Sequence, residues 1–583
     1  MIGIVRSCAV VAACFSLAAS SAALATSPSA DVRLAQLGQA YYGNEWAFSP
    51  ASATAAGVHD FDADIERVGP RAFAAEIARL HATLAQIASI SPSSLTLDGR
   101  IDRQLLESDV QGQIYTLETR PAWRDSPDYY VNVGSQAVFT IVARNFAPAD
   151  QRLVSIVARE RQIPKMLMQG EANLRPALVP AIFAQVAILD ADGAADFLAH
   201  DVPDAFASVR DQQLRAQFAA SNAAAIAAYQ QYSAFIKTSI VPQAHASFAI
   251  GAAAYEHLET LQNVEDIPLP KLLAIGEANL AKDKAAFIAT AHRIDPNATP
   301  QQVAARLALD HPTAQALLPT AQADLSDLVA FIKAKHIIDL PDAPVAKVVA
   351  TPKFERQFTF ASMDSPGPLE TKATEAYFNV TPVDPAWSQK QADEHLSFYN
   401  RYQTMVLSSH ETYPGHYVNY LFNKQEDLSL IRKLEWNPAF GEGWAHYDEQ
   451  MMVDEGLGGG DPRYRLAQLT GALLRDGRYI VGIKEHTQGM TIDQATTFLM
   501  DNSFLGREPA YREAVRGTQD PLYGYYTLGK LMLLKLRTDY QAKMGSTYTL
   551  ASFHDALLSH GDPPIYYLRQ LLLGPDDKGA LLK

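Results

Sequence analysis

The chain has 583 residues, too many for one simple core and enough for two domains or one large helical domain with a cleft. Hydrophobic residues make up 48% and charged residues 19%, a globular balance that excludes a disordered or fibrous chain. A net charge of −15 argues against nucleic acid as a partner.

In chain order, the first predicted element is a leader. Residues 1–25, MIGIVRSCAVVAACFSLAASSAALA, join one cation (Arg6), an apolar run from Cys8 onward, and a small-x-small cleavage triplet at Ala23-Leu24-Ala25. An uncleaved anchor fits less well, because the run is rich in Ala and Ser and closes on a good triplet. A lipoprotein reading of Val11-Ala12-Ala13-Cys14 would leave the apolar stretch from Phe15 to Leu24 on the mature protein. Both cysteines, Cys8 and Cys14, lie in the leader, so the mature chain is expected to form no disulfide and to offer no thiolate. Any metal must then be held by His, Asp or Glu. An exported chain without cysteine suits the periplasm or secretion, and no later segment is long and apolar enough to insert stably in a membrane after cleavage.

Most of the remaining chain reads as helix. Apolar residues recur at three- and four-residue spacing over 73–90, 153–174, 206–236, 272–291, 321–335 and 466–484. Strand-like alternation is scarce and falls at 347–362 and 376–380, with a turn at Ser365-Pro366-Gly367-Pro368 between them, which predicts a small sheet just before residues 408–417. Punctuation at Leu340-Pro341-Asp342-Ala343-Pro344 predicts a boundary between an N-terminal helical half, 26–345, and a C-terminal half, 346–583, that carries the chemistry. The stretch GLGGGD, 456–461, lacks the Lys-Ser/Thr of a phosphate loop and reads as an interhelical turn.

The chemistry centres on SSHETYPGHY, 408–417. In the zinc-peptidase pattern H-E-x-x-H the two histidines lie four residues apart and share a helix face. His410 and His416 lie six apart, so a regular helix would turn them away from each other by roughly 120°. Pro414 resolves the conflict: it cannot donate a hydrogen bond within the helix, and the break it forces can bring His416 back round. A third ligand is offered downstream in FGEGWAHYDE, 440–449, where Glu442 is the candidate, with His446 and Glu449 on later turns of the same helix. Two imidazoles, one carboxylate and an open position form the usual catalytic zinc set, with Glu411 as general base.

The segments His410-Glu411-Thr412-Tyr413-Pro414-Gly415-His416 and Glu442-Gly443-Trp444-Ala445 resemble the bacterial family known as domain of unknown function 885, whose mark is H-E-T-x-P-G-H followed by E-G-W-A. That family in turn resembles the mainly helical zinc peptidases related to angiotensin-converting enzyme and the thermostable carboxypeptidases. The resemblance covers most of the mature chain, more weakly in its N-terminal half. It implies His410, His416 and Glu442 as ligands of one zinc ion and Glu411 as base. It also points to His486 for contact with substrate or transition state, although Gly482 and Lys484 replace the Asp and Gly of the family pattern there, and Gly517 departs from an R-Y segment further on.

Hydrolysis of an amide calls for a group that stabilises the tetrahedral oxyanion, a role for which Tyr526 is the first choice and Tyr523 the second. Arg516 could receive a substrate carboxylate in bidentate fashion, and His446, one turn after Glu442, is kept outside the ligand set as a substrate contact, with a place behind the ligands or in place of one of them left open. The expectation is an exported, mainly α zinc metallopeptidase of oligopeptidase or carboxypeptidase type. Its two helical lobes would enclose a deep cleft with a small β-sheet beside the active site, and short peptides would be its substrates. Two alternatives stay open: a metal-dependent hydrolase of a non-peptide amide or ester, with identical ligands, and a periplasmic binding protein whose site is degenerate, to which the changes at Gly482, Lys484 and Gly517 point.

Overall fold

Helices begin where a side chain or a proline meets the free backbone N–H groups of the first turn, and end where the chain can no longer continue the ladder. The computed structural model describes residues 28–265, 267–352, 356, 359–577 and 579–582, so the predicted leader lies outside the described residues. Helix α1 (Ala30–Phe48) is capped by Ser29, and α2 (Leu97–Ile114) by Thr96. Between them the predicted helix over 73–90 is Pro70–Ser89, with proline in the first turn, where it sacrifices no hydrogen bond. The predicted helix over 153–174 is two, Ala149–Glu160 and Ile163–Asn173, because Pro164 starts a new helix. Similarly, 206–236 is helical only from Gln212, where the Asp211 carboxylate accepts from the Leu214 N–H; the residues before it turn the chain after helix Ala181–Ala205.

Further on come α3 (Leu269–Ile294) and the helix Leu317–Lys335, as the spacing predicts. The sheet has three short strands, β1 (Lys347–Ala350), β2 (Ala361–Asp364) and β3 (Tyr377–Val380), in the order β1-β3-β2. The alternation over 347–362 is therefore two strands, placed on opposite sides of β3, β1 parallel to it and β2 antiparallel. The motif lies on α4 (Arg401–Glu411) and α5 (His416–Gln425), and after it come α6 (Pro438–Asp454), α7 (Pro462–Thr487), α8 (Arg507–Gln519) and α9 (Tyr525–Met544). Between α6 and α7 the GLGGGD stretch is a turn, with positive φ at Gly456, Gly458, Gly459 and Gly460. The fold is mainly α with a small sheet, as expected.

Among the described residues, the two largest buried apolar clusters part between Ala244 and Tyr255, earlier than the 340–344 punctuation. The N-terminal cluster takes in Ile431 from the later chain. Polar ties also cross: Arg432 Nε donates to Asp102 Oδ1 (2.9 Å), Tyr42 donates to Glu435 (2.6 Å), and Arg144 pairs with Asp364 of β2. No helix among the described residues is long and apolar enough to cross a membrane.

Candidate metal centre

The site is built by interrupting a helix. Asn400 caps the start of α4 by accepting from the Gln403 N–H, and α4 runs only to Glu411. The Tyr413–Pro414 peptide is cis, and α5 begins at His416. Within the interruption the Gly415 N–H donates to Ser409 O (3.0 Å), which folds the chain back on α4. Glycine is required there: a Cβ would lie 1.8 Å from the His410 carbonyl oxygen. Trp444 of α6 is fully buried and donates its indole N–H to Pro414 O (3.1 Å), fastening the interruption to the helix that carries Glu442.

Helix α6 is fixed in turn by a backbone seam against α9. A Cβ on Gly443 would stand 2.6 Å from Gly529 Cα, and one on Gly529 would stand 1.7 Å from Ala439 O.

These constraints bring the three predicted ligands together. Glu442 Oε2 lies 3.5 Å from His410 Nε2 and 3.4 Å from His416 Nε2, with the two rings nearly perpendicular at 87°. One ligand atom from each residue falls within 4.8 Å of the others, the sole such group among the described residues. Tetrahedral bonds of roughly 2.0–2.1 Å place donors about 3.3 Å apart, so both spacings fit a single ion. Moreover, Glu442 Oε2 is buried and accepts no hydrogen bond, an arrangement that is costly unless a cation shares the space.

The carboxylate and the imidazoles also stabilise one another's charges. Burial alone would raise the Glu442 carboxyl, yet the two imidazoles outweigh it and hold it well below its ordinary value. Burial and the Arg475 charge push His410 down, but Glu442 and Glu449 on its two nitrogens raise it to about 9. Burial raises Glu411, which makes it a stronger proton acceptor than a surface carboxylate, and its Oε2 accepts from the Met363 N–H of β2 (2.9 Å). The sheet is thus beside the motif, as the sequence implied.

The other predicted residues divide. Tyr526 is linked to the cluster through Arg475, which stands 3.3 Å from His410 Nδ1: the Tyr526 ring lies 5.4 Å from the Arg475 guanidinium and 5.3 Å from that of Arg478, and its hydroxyl accepts from Arg516 (3.4 Å). Arg516, 40% exposed, also donates to Tyr525 (3.4 Å). Tyr523 is fully buried and donates to the Glu513 carbonyl (3.4 Å). His486 is buried, with Nε2 2.7 Å from Gly517 O and its ring against Phe248, and neither partner belongs to the cluster. His446, expected beside the ligands or against the substrate, is fully buried with Nδ1 on Glu449 and Nε2 facing Lys530, which leaves no face for a substrate. The family departures have packing causes. A Cβ at Gly482 would stand 2.8 Å from Pro521 O, one at Gly517 would stand 2.7 Å from the Tyr523 hydroxyl, and Lys484 pairs with Glu277 (2.8 Å).

Three residues near the cluster have no role assigned from sequence. Glu449 holds His410 Nδ1 (2.8 Å), Arg475 holds Glu449 (2.9 Å), and Tyr525 stacks on Tyr526 (4.8 Å), its phenol raised by burial, then Tyr526 and Asp520, with Glu442 the smallest contributor. For Glu449 a signal existed, since it lies two helical turns beyond Glu442 on the same face.

The family model for the bacterial proteins of unknown function named DUF885 matches residues 50–572. The chain belongs to this family. No curated protein matches it. Among the solved structures that do match are two each described as a “putative lipoprotein”. The Shewanella oneidensis protein, whose function is given as unknown, is 26% identical, with a TM-score of 0.78 over 93% of this chain and 99% of that one. The Colwellia psychrerythraea protein is 17% identical, with a TM-score of 0.80 over 94% of this chain and 99% of that one, a likeness of fold.

Proposed function

We propose that this member of the DUF885 family is an exported metal-dependent hydrolase, a zinc metallopeptidase acting on short peptides. The observation that carries the reading is the buried Glu442 Oε2, without a hydrogen bond and equidistant within 0.1 Å from the Nε2 atoms of His410 and His416. His410, His416 and Glu442 would hold the ion; nitrogen and carboxylate donors in this number favour zinc, which supplies Lewis acidity toward a water and a substrate carbonyl.

The rest falls to the chain. Glu411, adjacent to a ligand and fixed through Oε2 by the Met363 N–H, takes a proton on its carboxylate and returns it to the leaving group. Strand β2 is at an edge of the sheet beside Glu411, where an extended substrate could add by main-chain hydrogen bonds. Tyr526 and Arg516 supply an O–H and an N–H donor for an oxyanion or a substrate carboxylate. Elemental mass spectrometry on the purified protein should find about one zinc per chain, lost in His416→Ala; absence of metal in both would end this reading. A panel of peptides, esters and other amides then separates a peptidase from a hydrolase with the same ligands and another substrate.

A further inference from the structure

We infer that Glu449 is a positioning residue for the metal centre, locking His410 in the one tautomer and orientation that aims Nε2 at the ion. The inference rests on the proposed metal centre and assigns a role outside the ligand set. His410 is gripped from behind: Nδ1 lies 2.8 Å from Glu449 Oε1, while Nε2 points to Glu442. An imidazole whose Nδ1–H donates to a carboxylate presents its Nε2 lone pair and becomes a more basic ligand. The opposite tautomer is disfavoured, although the Arg475 Nη2 stands 3.3 Å from Nδ1, because an accepting Nδ1 would face the nearer Glu449 oxygen lone pair to lone pair. Glu449 cannot be a fourth ligand, since it meets the side of the ring opposite Nε2.

Glu449 is itself held on both oxygens. Arg475 donates to Oε1 (2.9 Å), and His446 Nδ1 lies 3.2 Å from Oε2. Behind His446 stands Lys530 (3.5 Å), which in turn faces Asp283 of α3 (3.8 Å). Glu449, His446 and Lys530 are all buried. Room for this assembly is made by Gly471 on α7, where a Cβ would stand 3.0 Å from the Arg475 guanidinium and 3.4 Å from Glu449 Oε2. His416 differs: its side chain is one-fifth exposed, and the buried Asp562 carboxylate is near enough to feel its charge, with no hydrogen bond between the two among the described residues. The two histidines are therefore unequal, His410 buried and held by a hydrogen-bonded carboxylate, His416 partly exposed.

The test compares the full-length wild type with Glu449→Gln, by zinc affinity in a chelator competition, by the visible spectrum of the cobalt-loaded protein, and by thermal unfolding without metal. Glu449→Gln is expected to bind zinc 10- to 100-fold more weakly and to change the cobalt bands. Wild-type affinity with unchanged bands would overturn the inference, as would a loss of thermal stability alone, which marks a purely structural role. Should Glu449→Gln not fold, Glu449→Asp keeps the charge and withdraws it by one methylene; it must still lose several-fold in affinity, and wild-type affinity in this variant overturns the inference equally. A wild type that binds no metal would sink the metal centre itself, a different outcome from a wild type and a Glu449→Gln that bind alike.

Discussion

At the scale of single residues, the site separates by what each side chain can be asked to do. Glu411 stands beside the ligands without being one, so Glu411→Gln, which keeps the shape and can still accept from the Met363 N–H, should retain the metal. Its turnover should fall by about 10²- to 10⁴-fold, the usual contribution of a positioned base. Metal content and rate measured on the same preparation check this, and full activity would remove Glu411 from the mechanism. That His410, His416 and Glu442 come together was legible in the sequence because a histidine, a glutamate, a helix-breaking proline and a second histidine leave few geometries. Arg475 was not: it lies on a helix remote in sequence, and nothing in a lone arginine announces which buried carboxylate it will meet.

At the scale of elements, the centre depends on one close approach that forbids a side chain and on one hydrogen bond that fastens it. Gly415→Ala puts a methyl group 1.8 Å from a backbone oxygen, so the turn between α4 and α5 must open. The variant should lose most zinc affinity, while far-UV circular dichroism shows the helices still formed; unchanged zinc binding would mean the turn is not what aims His416. Trp444→Phe keeps an aromatic ring but removes the donor to Pro414 O and leaves a cavity in the core, at a cost of about 2–4 kcal/mol in stability that denaturant unfolding can read. Element types were largely legible from periodicity, and the lapses have local causes. Pro164 divided one predicted helix, the Asp211 cap delayed another, and β3 came between the two strands that the 347–362 alternation runs together. Strand pairing is a long-range choice that alternation alone does not encode.

At the scale of the molecule, the early and late parts of the chain are joined by polar contacts as well as by apolar packing. His59 lies with Nδ1 3.1 Å from Asp62 and Nε2 3.0 Å from Glu370, stacked on Phe146. Both carboxylates can be satisfied only if both ring nitrogens carry protons. Burial alone would lower the His59 pKa, but the two carboxylates outweigh it and raise it above 6.5. The stabilisation is therefore complete below the unfolded-state value near 6.5 and disappears as pH rises through the raised folded value. Thermal midpoints should fall from mildly acidic to alkaline pH more steeply in the wild type than in His59→Gln, and identical slopes would show that His59 titrates without stabilising the fold. Such joints were invisible in the sequence, since nothing local relates residue 59 to residue 370.

The glycine turn at 456–460 has a practical consequence. His410, His416, Glu442 and Glu449 all precede it, Arg475 and Lys530 come after it, and Gly459 and Gly460 lie exposed at its crest, where an added Cβ would meet nothing within 4 Å. A protease site grafted at this crest would let the polypeptide be severed between the proposed ligands with Glu449 on one side and Arg475 and Lys530 on the other, with the two fragments still interlocked by the seam between α6 and α9. The nicked protein would then report, by whether the fragments hold together and still bind zinc, how far the proposed centre depends on covalent continuity with Arg475 and Lys530.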